Sequence, residues 1–392
     1  MGGSFTETRK VSWFSRLKNS VIGVLIGLLL VAGMIWLLFW NEGRTIREAR
    51  SLTEGADVVV SVGAGSIDAA NEGRLIHVTG PVTTSSHPAD MAFGVIADGV
   101  RLVRRVEMYQ WREEARSETV TKVGGGEETA TTYDYVKAWV DEPQDSSRFR
   151  VPGGHENPPM EIRSQRFQLR DARLGAFELD APILDRIGGE RPLALTREQI
   201  VAIGETAGGR LVSLVDKGAY LGIDPTSPQI GDYRISYTVA PLGMISVIAG
   251  QAGAKFVPYK TSVGNEILLV EEGVIAADAM FASAQAENRL LKWILRAAGL
   301  LFLFVGFTLV LAPIAVVADV LPPVGGLVRM GTGLIAFLLT IVVGALTVAV
   351  AWFWHRPLMA IAVIAIGAVM ALGVAWLGRL RAARGMSAAK TT

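Results

Sequence analysis

Four histidines and three adjacent carboxylate pairs are the residues of this 392-residue chain that could do acid–base or metal chemistry. Their spacing argues against both. His77 and His87 lack metal-ligand spacing, His155 lies in the Gly- and Pro-rich stretch Val151 to Pro159, and His355 stands in a turn between apolar windows. A general acid and base must converge on one proton. Glu113-Glu114, Glu127-Glu128 and Glu271-Glu272 are direct neighbours, and neighbours on a strand point to opposite faces, so these read as solvated faces. His155-Glu156-Asn157-Pro158 reads as a structured loop. H-E-x-x-H, Walker, G-x-S-x-G and G-x-G-x-x-G patterns do not occur. With no cysteine, disulfides, thiolate nucleophiles and cysteine zinc sites are excluded. The residues predict a non-enzymatic protein with no metal and no cofactor.

The rest of the sequence says what must hold these residues. Half of it is hydrophobic, only 19% is charged, and mean hydropathy is +0.36, against about 25% charge in soluble chains. The apolar residues cluster in four charge-free windows: 21–40, 297–318, 330–354 and 357–378. About 20 apolar residues span the hydrocarbon core as a helix, so four transmembrane helices are expected. The first follows Arg9, Lys10, Arg16 and Lys18 but ends in Trp36, Phe39 and Trp40. It reads as an uncleaved signal anchor with interfacial aromatics. The span interiors offer only Thr308, Thr340, Thr347 and Pro313 besides apolar residues, whereas transport paths usually need ionisable groups at membrane depth. Gly23-x-x-x-Gly27 suits close helix packing.

Charge sets the expected orientation. Region 41–296 carries 28 basic and 35 acidic residues; the remainder carries 10 and 2. By the positive-inside rule, the basic N-terminus 1–20, the connection 319–329 and the basic tail 379–392 face the cytoplasm, and domain 41–296 lies outside it. Arg289, Lys292 and Arg296 run against the rule. The acidic domain excludes nucleic acid as a partner; the basic ends suit anionic headgroups.

Region 41–296 reads as one β-rich α+β domain. Val106 to Trp111 alternates, as does Tyr233 to Val239. Glu118 to Val140 reads as a hairpin around Gly124-Gly125-Gly126. Thr196-x-x-Gln199 is a capping box, and Ala276 to Arg296 predicts an amphipathic helix running unbroken into the second span, with Phe281, Leu290, Leu291 and Ile294 as its buried stripe. One tetrapeptide occurs twice: Asn41-Glu42-Gly43-Arg44 and Asn71-Glu72-Gly73-Arg74. Both read as turns that need positive φ at glycine. In the first, Arg44 reaches the headgroups and pairs with Glu42, setting the angle between the first span and the domain. Tyr109 and Trp111 share a strand face with Glu107, opposite Val106 and Met108. They are core if the sheet is covered on both sides, and otherwise a lipid- or partner-facing patch.

Phe39 to Arg44, Asn71 to His77 and Val106 to Trp111 resemble the transmembrane protein 43 (LUMA) family. So do Tyr133-x-Tyr135-x-x-x-Trp139, His155-x-Asn157-Pro158, Gly231-Asp232-x-Arg234, Val257-Pro258-x-x-Thr261 and Arg296 to Gly299. The matches keep family order over most of the chain. The resemblance implies four spans and a large lumenal domain, with nuclear-envelope organisation, endoplasmic-reticulum or inner-nuclear-membrane residence and self-association in animal relatives. It carries no established reaction. The Ala-, Val-, Arg- and Gly-heavy composition suggests a bacterial member in the cytoplasmic membrane. The expected function is organising or sensing the membrane through the outer domain, self-association and other membrane proteins; an oligomeric pore and an enzyme with an unrecognised site are the alternatives.

Overall fold

Alternating stretches become strands and apolar windows become helices in the computed structural model, which describes residues 4–207 and 210–355. The elements that matter here are β1 (Ser4–Val11), α1 (Trp13–Val58), β2 (Val60–Gly63), β3 (Leu75–Thr83), β4 (Arg101–Thr121), β5 (Glu127–Val140), α2 (Arg197–Thr206), β6 (Tyr233–Ala240), β7 (Met244–Ala252), α3 (Ala277–Ala318) and α4 (Pro322–His355). They fall into two compact units.

The first unit comprises Met1–Lys10, Arg50–Val120 and Glu127–Ala286 and holds two sheets. In the eight-stranded one, β1, β5, β4 and β6 lie side by side, followed by Gly218–Leu221 and Val212–Val215. Its alternation is the expected one. Tyr233, Ile235 and Tyr237 are buried while Arg234 and Ser236 are exposed, and Tyr233 and Ile235 stand opposite Met108 and Val106. Ile200 and Ile203 of α2 join this core. Both bonds of the capping box are made: Thr196 N–H to Gln199 Oε1 at 2.9 Å and Gln199 N–H to Thr196 Oγ1 at 3.3 Å.

The seven-stranded sheet is centred on β7 and β3, antiparallel with Val247 opposite Val78. β7 is buried from Ile245 to Gln251, covered on both faces, so its sequence alternates only loosely. The adjoining ends of α1 and α3 supply Leu52, Met280 and Phe281 to a cluster with Leu75 and Ile248. The apolar run Ile267 to Val270 divides between two strands: Glu266–Ile267 pairs with Tyr259–Lys260, and Leu269–Glu272 pairs with β7.

β4 outruns its neighbour β6, whose pairing ends at Met108. Beyond that point it forms a ribbon with β5, and residues Glu114 to Val120 are exposed. Hydroxyl pairs bridge this ribbon: Ser117 with Thr131 and Thr119 with Thr129, both at 2.9 Å, and Thr6 of β1 with Thr132 at 3.0 Å. Cross-strand hydroxyl pairs of this kind stabilise a strand pair that has no buried face.

The second unit comprises Val11–Ala49, Thr121–Gly126 and the chain from Glu287 onward. Among the described residues, α1, α3 and α4 are the three helices long and apolar enough to cross a membrane. Glycines let them approach. A Cβ on Gly27 would stand 2.7 Å from the Gly306 carbonyl, and one on Gly299 2.8 Å from Leu38, so the small residues of the first span are used within the chain.

Several boundaries differ from expectation. α1 does not stop at Trp40; it passes through Asn41–Arg44 without a turn, and Gly43 is not among the glycines with positive φ. α4 begins at Pro322, so the connection expected over 319–329 shortens to 319–321. Phe281 is buried, but Leu290, Leu291 and Ile294 are exposed. Asn288 and Leu303 mark the packed face of α3 in this unit, and the apolar face is turned outward, as suits hydrocarbon rather than a water-soluble core. The fourth expected span, 357–378, and the tail 379–392 lie outside the described residues.

Candidate functional site

The first copy of the repeated tetrapeptide builds a polar cluster on α1. Helix periodicity turns Asn41 and Arg44 toward α3. Asn41 Nδ2 donates to the Lys292 carbonyl at 3.1 Å, Arg44 Nη1 donates to Asn288 Oδ1 at 3.1 Å, and Asn288 Nδ2 returns a bond to the Thr45 carbonyl at 3.0 Å. Glu42 does not pair with Arg44 as expected. It is 2% exposed; its Oε1 accepts from Arg296 Nε at 2.5 Å, and its Oε2 accepts from Trp352 Nε1 at 3.0 Å. A buried carboxylate needs such partners because losing hydration costs several kcal/mol per ion. Gly43 serves by close approach rather than by positive φ: a Cβ there would stand 2.6 Å from the His355 imidazole.

A second cluster gathers at the opposite ends of the same helices. Arg16 donates to Asp319 Oδ2 at 2.6 Å and to the Gly125 carbonyl at 2.5 Å; Arg329 donates to the same Asp319 oxygen at 2.5 Å. Trp13 Nε1 donates to the Val316 carbonyl at 2.8 Å, and the Gly124 N–H donates to the Val320 carbonyl at 3.1 Å. Gly125 has φ +77°, and a Cβ on it would meet the Trp13 ring at 2.4 Å, so no other residue fits. The hairpin tip is therefore latched to residues at the N-terminal end of α1. Because the chain has no cysteine, single cysteines can report the sidedness. Val123→Cys and Phe14→Cys, at positions 87% and 76% exposed, should react with an impermeant maleimide from the same side of sealed vesicles. Labelling from opposite sides would disprove the latch. Ile223→Cys, in the first unit, reports the body of the domain.

Within the first unit, Glu107 is exposed and Tyr109 and Trp111 are half-buried, while Val106, Met108 and Gln110 opposite them are fully buried. The aromatics are neither core nor an open patch. They lie in a shelf of rings: Tyr109 is 5.1 Å from Trp139, Trp111 meets His155 edge-on at 4.8 Å, and His155 stacks on Tyr135 at 4.0 Å. The loop that expectation gave to His155 is structured by Asn157, whose side chain accepts the Trp111 N–H at 2.7 Å and donates to the Trp111 carbonyl at 2.9 Å. It replaces a neighbouring strand there. Tyr135 donates to Glu113 Oε2 at 2.8 Å. Burial first, and then this carboxylate, push its phenol pKa up, so it remains a donor.

The second tetrapeptide is a turn as expected, with Gly73 at φ +71°. Asn71 is buried. Glu72 accepts the Gly253 N–H at 2.9 Å, and the Gly73 N–H donates to the Gln251 carbonyl at 2.9 Å. Arg74 Nη1 reaches Asn71 Oδ1 at 3.5 Å. These bonds pin the end of β7. The two copies thus share a sequence but not a conformation.

One pairing has the outline of a catalytic dyad. Ser61 Oγ is 3.0 Å from His77 Nδ1, and His77 Nε2 is 3.0 Å from the Ile275 carbonyl. Ser61 and His77 are register neighbours on β2 and β3, which alone brings them together. Among the described residues no cluster of three or more His, Asp or Glu could hold a metal ion.

Arg16, Arg296, Asp319, Arg329 and Trp352 were not singled out as site residues by their sequence. Arg296 carried one signal, as a basic residue where the positive-inside rule disfavours it; Asp319 carried another, as one of two acids outside 41–296.

A family model described as transmembrane protein 43 matches residues 108–357. The chain is 32% identical to "Transmembrane protein 43" of Rattus norvegicus over 369 residues, 91% of this chain and 90% of that protein. It is 32% identical to "Transmembrane protein 43" of Homo sapiens over 363 residues, 89% and 88% of the two chains, and 30% identical to "Transmembrane protein 43 homolog" of Drosophila melanogaster over 385 residues, 93% and 95%. No solved structure matches.

Proposed function

The chain belongs to the transmembrane protein 43 family, and from that premise we propose that this membrane protein organises or senses the membrane through its β-rich domain, self-association and protein partners, without catalysing a reaction. The observation that carries the reading is the β4–β5 ribbon. A strand pair that leaves its core and exposes Glu114 to Val120 gains nothing for the fold by burial; it offers backbone and side chains to another surface. β1 ends the sheet beside it, and an edge strand is a template for pairing with a second chain. The ring shelf at the ribbon's base, with Lys137 Nζ 4.9 Å over Trp111 and Arg234 4.1 Å over Trp139, suits a partner that is partly apolar.

The test uses two differently tagged copies of the full chain purified in mild detergent. The exposed charge reversal R116E/E118K should leave the unfolding midpoint within about 2 °C, since exposed substitutions rarely exceed 0.5 kcal/mol. It should reduce co-purification of the second copy and of membrane partners at least about fivefold, a change of roughly 1 kcal/mol. Undiminished capture by a folded variant would remove the ribbon from the account.

A further inference from the structure

β1 is the outermost strand of the eight-stranded sheet. β5 lies on one side of it, and among the described residues no strand lies on the other. Ser4 to Lys10 are exposed except for Glu7, which is half-buried like Val11. No proline or glycine interrupts the strand, so its outer backbone groups offer an unbroken row to a further strand. Its own sheet holds the strand by Thr6 with Thr132 at 3.0 Å and by the Phe5 ring 6.4 Å from that of Tyr133. Glu7 Oε2 pairs with Arg150 Nη2 at 2.5 Å. Arg9 is exposed and has no ion pair among the described residues.

A twofold axis perpendicular to the sheet sets one residue of an antiparallel pair opposite itself and thereby fixes every other pair. The sequence of β1 separates the possible centres. Centred on Glu7, glutamate faces glutamate; centred on Arg9, arginine faces arginine, and like charges directly opposed are destabilising. Centred on Thr6, Glu7 faces Phe5, and Arg9 and Lys10 stand outside the pairing. Centres nearer either end leave most of the strand unpaired. Centred on Thr8, Glu7 of each copy faces Arg9 of the other, Phe5 faces Val11, Lys10 faces Thr6, and the two Thr8 hydroxyls meet. Opposite charges, an aromatic with a β-branched residue, and paired threonines are the favourable cross-strand combinations.

We propose that β1 pairs with β1 of a second copy of this chain, antiparallel and centred on Thr8, so that the two sheets become one. The pairing rests on the self-association proposed above and supplies its register. No net charge opposes the approach. Thr6 lies at Thr132 and Val11 at Gly126, which brings Glu127 and Glu128 beside this strand; with Glu7 they balance Arg9, Lys10 and Arg150. α1 begins at Trp13, just beyond the strand. Two copies anchored in one bilayer therefore meet at raised effective concentration, which lets a contact one strand long suffice.

The chain has no cysteine, so single cysteines read the register in the full chain in vesicles. Directly opposed Cα atoms of antiparallel strands are about 4.5–5.5 Å apart, within reach of a disulfide. Under mild oxidation Thr8→Cys should cross-link two copies at least about fivefold more than Thr6→Cys or Lys10→Cys alone, and a mixture of those two should cross-link more than either. Charge reversal is the second arm, read with two differently tagged copies in mild detergent. Glu7→Arg in both copies, or Arg9→Glu in both, sets like charges opposite and should lower capture of the second copy at least about fivefold. A Glu7→Arg copy mixed with an Arg9→Glu copy again has opposite charges at both positions and should be captured as the wild type is. All these variants should keep the unfolding midpoint within about 2 °C. Wild-type copies that capture each other while Thr8→Cys cross-links no better than Lys10→Cys would overturn the register and leave self-association standing. Wild-type copies that do not capture each other would overturn both. Undiminished self-capture by Glu7→Arg, or no capture between the two reversed copies, would also overturn the pairing.

Discussion

Glu42→Ala is expected to destabilise the helical unit by about 3–5 kcal/mol, the cost of removing one partner from a buried ion pair. The carboxylate is the acceptor for both Arg296 Nε and Trp352 Nε1, and both donors would be stranded together. Arg296, whose side chain is 13% exposed, would then have no anion within the cluster. Denaturant titration in mild detergent, followed by tryptophan fluorescence, reads the loss. Replacing the pair together, E42M/R296M, should recover most of it, because well-packed apolar residues often match or exceed a buried pair. A single variant that unfolds with the wild type would mean that the pair is solvated in the membrane-bound protein. A double variant no better than the single would mean that other bonds of the cluster carry the effect.

Asp319→Ala is expected to cost a similar amount, about 3–5 kcal/mol, for a different reason. One carboxylate oxygen serves two guanidiniums, and they are unequal. Arg16 is 7% exposed beside the 3% exposed Asp319 side chain, whereas Arg329 is 56% exposed. Arg16→Ala should therefore approach the effect of Asp319→Ala, because it leaves the buried carboxylate with only its outer partner and also removes the donor to the Gly125 carbonyl. Arg329→Ala should cost no more than about 1 kcal/mol, the ordinary range for an exposed pair. Limited proteolysis at Lys122, already exposed in the tip, gives an independent reading, since release of the tip should loosen the turn and speed cleavage in the first two variants and not in the third. Equal effects from Arg16→Ala and Arg329→Ala would refute the ranking.

Much of this architecture can be read from local pattern. Period-2 alternation placed Val106 to Trp111 and Tyr233 to Val239, and the capping box at Thr196 and Gln199 marked the start of a real helix, because each signal is decided within a few residues. Asn41 to Arg44 misled for the same reason. Asn and Gly suit turns, but here the helix continues, since its orphan-prone Asn41 finds the Lys292 carbonyl, 251 residues away. The half-burial of Trp111 was illegible because it depends on the loop carrying His155 and Asn157 folding back over the strand. Windows bounded by their charges show none at membrane depth; Glu42 and Arg296 sit just outside those windows, and only the fold shows that they are buried as a pair.

The latch also has a consequence for biosynthesis. Arg16 and Asp319 are 303 residues apart in the chain. At roughly 5–20 residues per second, the ribosome takes about 15–60 s to make the second after the first. For that interval Arg16 is without its carboxylate and the glycine tip without the helix end that receives it. Through that interval the nascent chain must stay competent to close the latch. Substitutions in the latch should therefore act first on yield: less protein reaching the membrane intact, before any change appears in the stability of the molecules that do.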